Sequence, residues 1–265
     1  MLIDTHAHLN DKAFDADRAD IIRSAGALGV RNILDIACAP EEWPRSEALS
    51  AAHPGIRSAY GVHPEYIKDF SAAALPALEA FLSRPAAIGV GEIGLDYWWE
   101  AGNRAGQLEL LETQLPLCAR HSKPAIFHAR NGKEAGQDAY ADLAASLRNW
   151  GYSPKARFRG VLHCFAGSWE DARAALDLGL ALGVNGTFTY KKNDDLRQNI
   201  KKAGTANIVL ETDCPYLPPQ SSRGERNAPT FIPEIAAMAA SYLGLSNAQI
   251  ADATTANALD LFGRF

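Results

Sequence analysis

Six side chains in this sequence have the types and spacing that hold divalent cations: His6, His8, Glu92, His128, His163 and Asp213. Imidazole nitrogens and carboxylate oxygens without thiolates suit zinc, manganese or a related ion, and the all-oxygen shell that magnesium prefers is the poorest match to four imidazoles. His6 and His8 are two residues apart, so on a strand they project to the same side. Six donors exceed what one tetrahedral ion needs, and a carboxylate such as Glu92 can bridge two ions about 3.5 to 4 Å apart. The expected cofactor is therefore a pair of divalent ions (zinc, manganese or magnesium). His6, His8, Asp213 and Glu92 would serve one ion, and Glu92, His128 and His163 the other, with an open side for water. Such a centre hydrolyses: bound water loses its proton near neutral pH, and Asp213 is the expected general base beside Glu92. The alternative, ordinary hydrogen bonding in a core, is costly for charges clustered together without a cation.

Other residues fall where a substrate would meet this centre. Arg130 lies two positions beyond His128, and Arg226 with Asn227 occupies a long loop after Asp213. A guanidinium there clamps a phosphate in bidentate fashion, against the alternative of an ordinary loop salt bridge. Lys191 and Tyr97 are further expected substrate contacts. Trp98 and Trp99 are suited equally to stacking a nucleobase and to plugging the top of the molecule. Asp4 is inward by parity but one layer deeper, where orienting a ligand and plain structural bonding compete, and His63 is expected to contact the donors rather than the metal. His53 and His121 belong to helix ends or the surface.

The elements that must position these groups alternate along the chain. Short apolar, β-prone segments run from Leu2 to Leu9, Asn32 to Ala39, Arg57 to Pro64, Ala86 to Asp96, Pro124 to Ala129, Arg159 to Phe165, Leu180 to Gly186 and Asn207 to Asp213. Amphipathic windows separate them. In Arg104 to His121, the residues Leu108, Leu111, Leu115, Cys118 and Ala119 share one predicted helical face, and Pro116 is expected to bend the helix. Eight strand–helix units in 265 residues, about 33 residues each, predict a single-domain α/β fold, a (β/α)8 TIM-like barrel spanning residues 1–265. A doubly wound sheet would want a glycine-rich turn after the first strand, where His6-Ala7-His8 stands instead. All six donors then lie at C-terminal strand ends, the barrel face that carries function. Cys164 and Cys214 follow donors directly and by alternation should point away as packing residues.

Composition narrows the class. The chain carries 26 basic and 31 acidic residues, a net charge of −5, so any polyanion must be bound locally rather than by a basic coat. Four cysteines without a Cys-x-x-Cys pair suit a reducing compartment, and the start, MLIDTHAHLN, lacks a signal-like apolar stretch. A cytoplasmic protein is expected, with no membrane association and no obligate protein partner.

The segments IDTHAHL, GVGEIGLDY, AIFHAR, LHCFAG, ETDCPYL and RGERNAP, in this order, resemble the TatD family of metal-dependent hydrolases, within the wider amidohydrolase superfamily. The resemblance implies a TIM-like barrel, two divalent metals and deoxyribonuclease-type phosphodiester hydrolysis, with DNA as the substrate and His6, His8, Glu92, His128, His163 and Asp213 in the family's ligand positions. The sequence departs from that pattern at Tyr97-Trp98-Trp99-Glu100 and at Pro116. Two alternatives remain open at this point: an esterase or deacylase using the same centre, for example on an aminoacyl-tRNA, and an inactive barrel used for binding.

Overall fold

Each of the eight β-prone segments contributes a strand in the computed structural model, which describes residues 1–68, 70–99, 101–152, 160–263 and 265. The strands are β1 (Leu2–Ala7), β2 (Val30–Ala37), β3 (Ile56–Tyr60), β4 (Ala87–Asp96), β5 (Ala125–Arg130), β6 (Gly160–Leu162), β7 (Leu180–Val184) and β8 (Ile208–Leu210). They pair in parallel and in strict chain order, β1 through β8. A doubly wound sheet would reverse its order, so that alternative is excluded. The seam between the first and last strands is drawn together by Asp213 N donating to the His6 carbonyl and His8 N to the Cys214 carbonyl, both at 2.8 Å. Asp4 completes it: one carboxylate oxygen accepts from Thr212 N at 2.9 Å, the other from the Thr212 hydroxyl at 2.6 Å. The result is the expected TIM-like (β/α)8 barrel.

The α-helices among the described residues are α1 (Arg18–Ala27), α2 (Trp43–Ala52), α3 (Leu75–Leu82), α4 (Arg104–Arg120), α5 (Ala139–Asn149), α6 (Trp169–Asp177), α7 (Asp194–Ala203), α8 (Ile232–Leu243) and α9 (Asn247–Phe262), with short 3-10 turns between elements. Local signals set their ends: Ser168 with Asp171, and Ser246 with Gln249, form reciprocal capping boxes that start α6 and α9. None of the described helices is long and apolar enough to cross a membrane. Helix α4 runs through Pro116 without interruption. Its buried face differs from the expected one, because Ala119 is exposed and Leu108 only half-buried while Gln107 and Gln114 are fully buried. The glutamines bond backbone ends of the barrel: Gln114 Nε2 donates to the Val62 carbonyl and its Oε1 accepts from Val62 N, and Gln107 does the same for Asp96.

A barrel interior is filled by side chains, not hollow. Here Leu34, Ile36, Ala59, Ile126, Val161, Ala181 and Val209 make an apolar cluster joined by Ala258, Leu261 and Phe262 of α9. Asn257 of α9 donates to the carbonyl of Ile208, the first residue of β8, so α9 covers the end where the strands begin. Ile126, Val161 and Val209 each lie two residues before a polar group, His128, His163 and Glu211, which puts the polar layer at the opposite end.

Most expected strands overrun the observed ones at their C-terminal ends, although β4 ends at Asp96 as expected and β5 runs one residue further, to Arg130. Strands β6 and β8 stop at Leu162 and Leu210, so His163 and Asp213 stand beyond the ladder. Cys164 and Asp213 adopt left-handed backbone, φ 48° and 59°, which ends strict alternation there. Arg159, at the start of the sixth expected segment, and Glu100, in the stretch that departs from the family pattern, lie outside the described residues.

Candidate metal centre

Glu92 is carried inward on β4 by a glycine-rich stretch whose backbone touches its neighbours. A Cβ on Gly94, at φ +147°, would meet the His128 carbonyl oxygen at 2.0 Å, and one on Gly91, at φ +159°, would meet Ile126 Cβ at 2.6 Å. Only glycine lets β4 pass β5 this closely. The buried carboxylate is thereby held between two groups of imidazoles. Oε1 lies 2.6 Å from His163 Nε2, 2.8 Å from His128 Nδ1 and 3.5 Å from His63 Nε2. Oε2 lies 3.3 Å from His6 Nε2 and 4.0 Å from His8 Nε2. Asp213 Oδ1 joins this second group, 3.4 Å from His8 Nε2 and 3.6 Å from His6 Nε2. All six donors expected from the sequence therefore converge, with one Glu92 oxygen facing each group. The donor atoms of His6, His8 and Glu92, and those of His63, Glu92 and His128, lie close enough together to share an ion.

The electrostatics are those of a crowded site. Burial pushes the Glu92 carboxyl up, but the His163 charge and hydrogen bonds from His128 and His163 outweigh it and hold the group well below the usual range. Burial pushes Asp213 up, and the His8 hydrogen bond with the imidazole charges brings it below its ordinary value. Burial lowers His63 to about 3, whereas His8, opposed by burial, is raised to about 9 by its Asp213 bond and the surrounding carboxylates.

The arrangement fits divalent cations. Ring nitrogens face each other, His6 Nε2 to His8 Nε2 and His128 Nδ1 to His163 Nε2, each pair at 3.2 Å. His6 Nδ1, His163 Nδ1 and Glu211 Oε2 are buried without a hydrogen-bond partner. Two ring nitrogens at 3.2 Å can bond each other only as one donor and one acceptor, and such crowding of ligand atoms suits a cation; the three unpartnered atoms belong to a further trio, His6, His163 and Glu211, close enough together to share an ion.

Comparison with known proteins agrees with this geometry. A family model described as TatD related DNase matches residues 3–263. The chain belongs to the TatD-related DNase family. It is 30% identical to the "uncharacterized metal-dependent hydrolase YabD" of Bacillus subtilis, over 99% of both chains. It is also 30% identical to the "3'-5' ssDNA/RNA exonuclease TatD" of Pantoea vagans, over 98% of this chain and 99% of that one. Among solved structures, the TatD homolog YjjV of Escherichia coli superposes with a TM-score of 0.91 at 30% identity, covering 100% of this chain and 98% of that one.

The remaining residues singled out in this TatD-family chain divide by the partners they find. Arg130 is exposed and lies over two rings, 4.9 Å from the Trp98 centroid and 5.6 Å from that of Trp99. Lys191 is exposed as well. Three expected substrate contacts are occupied within the protein. Tyr97 is buried and donates its hydroxyl to Asp142 at 2.7 Å. Asn227 is buried, its amide donating to the Thr212 and Tyr216 carbonyls. Arg226 forms a two-pronged bond to Asp17 and also donates to the Ala13 carbonyl. Asp4 meets His6 only at its backbone N–H, so it braces the seam rather than orienting that ring. His63 contacts the donors, its ring 4.5 Å from that of His128, with Nδ1 accepting from Glu65 N and Nε2 turned to Glu92, close enough for it to share an ion with Glu92 and His128. Cys164 Sγ accepts from Asn185 and Cys214 is packed in the core.

Two carboxylates of the site escape the sequence reading. Asp96 bonds His128 Nε2 at 3.0 Å, and Glu211, fully buried, can share an ion with His6 and His163. The signal that could find them is parity: Asp96 lies four residues beyond Glu92 on β4, and Glu211 two beyond Val209 of β8.

Proposed function

We propose that this chain, residues 1–265 as one barrel, is a nuclease that hydrolyses phosphodiester bonds of DNA or RNA strands with two divalent ions. It is a metal-dependent hydrolase of the TatD family, and names borne by its relatives include that of a single-strand exonuclease. The observation that carries the two-ion reading is the division of donors across Glu92, with His6, His8 and Asp213 on one oxygen's side and His128 and His163 on the other's. The donor set suits zinc or manganese. Such ions would supply an activated water and a polarised phosphoryl oxygen. Asp213, kept ionised by its imidazole neighbours, accepts the proton that the attacking water releases at its carboxylate. Glu92 fixes both groups of imidazoles, and Asp96 holds the distal nitrogen of His128, which sets the face that ring presents. Arg130 offers the exposed positive charge that a phosphate needs at the rim. The four cysteines are free thiols, as a reducing, cytoplasmic setting keeps them.

The test is incubation with end-labelled single-stranded DNA or RNA, with and without EDTA, beside carboxylic ester and phosphomonoester reporters. Metal-dependent release of nucleotides is expected. Turnover of the ester with no nucleotide release would overturn the nuclease reading and leave a hydrolase of another bond.

A further inference from the structure

Beyond the donor cluster, the ends of β4 and β5 carry a second feature of the mouth. In the ladder, Gly94 pairs with His128 and Asp96 with Arg130, so Arg130 stands one strand repeat, about 7 Å, outward of His128. Past Asp96 come Trp98 and Trp99, which are 37% and 61% exposed, large apolar rings left facing solvent. Two cations lie over them: Arg130 as described, and Lys133 with Nζ 4.4 Å from the Trp98 centroid. Two exposed tryptophans side by side leave apolar surface at the mouth, and a cation held over a ring is restricted in position without being neutralised.

Asp96 connects this patch to the centre. Its Oδ2 bonds His128 Nε2 at 3.0 Å, while Oδ1 accepts from the backbone N–H groups of Trp98 and Trp99 at 2.8 and 2.9 Å. The aspartate is itself buried, and Gln107 clamps its backbone on both sides. One rigid carboxylate thus fixes the tryptophan turn relative to an imidazole of the metal centre.

We propose that Trp99, Trp98, Arg130 and Lys133 form a nucleotide subsite of this centre: Trp99, the more exposed ring, stacks a base of a single strand, and Arg130 and Lys133, steered by Trp98, bind its phosphates. The subsite deepens the nuclease reading and rests on it. A stacked face accepts any base, whereas cations read only phosphate, so the two halves of the subsite respond to different strands.

The experiment uses the full-length protein, a single-stranded oligonucleotide, and an abasic strand with the same number of phosphates. Binding is followed by anisotropy in EDTA, and kcat and KM are measured separately with manganese added. Wild type is expected to prefer the base-containing strand by about 5- to 100-fold. Trp99→Ala should erase that preference and raise KM with kcat nearly unchanged, and Trp99→Phe should restore much of it. Arg130→Ala should weaken both strands alike and reduce the slope of log K against log salt by about 0.7 for each phosphate no longer neutralised. Equal binding of the two strands by wild type, or a preference that survives Trp99→Ala, would overturn the subsite while leaving a cleaving enzyme intact. A wild-type protein that neither binds nor cleaves either strand would overturn the nuclease reading and the subsite together.

Discussion

The buried polar groups at the mouth of the barrel form two sets with opposite habits. Asp4, Asp35, Gln107, Gln114 and Asn227 are each matched to partners within the chain; Asp35, for example, accepts from Asn10 N at 3.0 Å and from its side-chain amide at 3.2 Å. The donors around Glu92 instead face one another, nitrogen to nitrogen, and leave atoms of His6, His163 and Glu211 without partners. Both sets cost desolvation on folding. The first set is answered by neutral backbone and amide groups that tie elements together, whereas the second is answered by imidazoles whose ring nitrogens crowd one another, an arrangement that a cation would relieve.

Substitutions in the two sets should therefore separate activity from stability. The largest effect is expected at Glu92. Glu92→Ala removes the carboxylate shared by both groups of imidazoles, and hydrolysis should fall by about a thousandfold or more while circular dichroism reports a folded barrel. Retention of activity within a few-fold of wild type would break the comparison.

In the matched set, Asp35 allows a test by pH. Burial pushes its carboxyl up to about 6 from an ordinary 3.8, against hydrogen bonds from Ser46 and Asn10. The folded protein therefore holds this proton more tightly than the unfolded chain. The stability it contributes is complete below about 3.8 and is lost as pH rises through 6, on the order of 3 kcal/mol in all. Denaturant unfolding of Asp35→Asn from pH 4 to 8 should lack that decline; a slope identical to wild type would contradict it.

Asp96 stands between the sets, satisfied by backbone yet bonded to a donor ring. Asp96→Ala should lower metal affinity or turnover by about 10- to 100-fold, measured by metal titration beside kinetics. The smallest effect is expected at Arg226, whose charge Asp17 already answers. Arg226→Ala should leave KM for single strands within about twofold, in contrast to Arg130→Ala.

The contrast between the two arginines also marks where sequence stops being legible. The eight strands follow from β-prone segments that alternate with amphipathic ones, and the donors from residue type in and just after those segments. Periodicity and composition are local properties, so both can be read along the chain. Which partner a rim side chain finds is not local: Arg226 meets Asp17, 209 positions away, and Tyr97 meets Asp142, 45 away. Neither pairing leaves a periodic trace. The glutamines of α4 are hidden for another reason, because a buried amide looks like a surface residue until the backbone it clamps is seen. At Cys164 and Asp213 alternation itself fails, since left-handed backbone breaks the period of two on which parity depends.

The donors on the two sides of Glu92 are proposed to hold two cations. Anomalous scattering at the zinc and manganese edges, from crystals grown with each metal, measures this most directly. Two peaks are predicted, one on each side of the Glu92 carboxylate, with His6, His8 and Asp213 around one and His128 and His163 around the other; density showing those side chains paired only with each other at saturating metal would contradict the account.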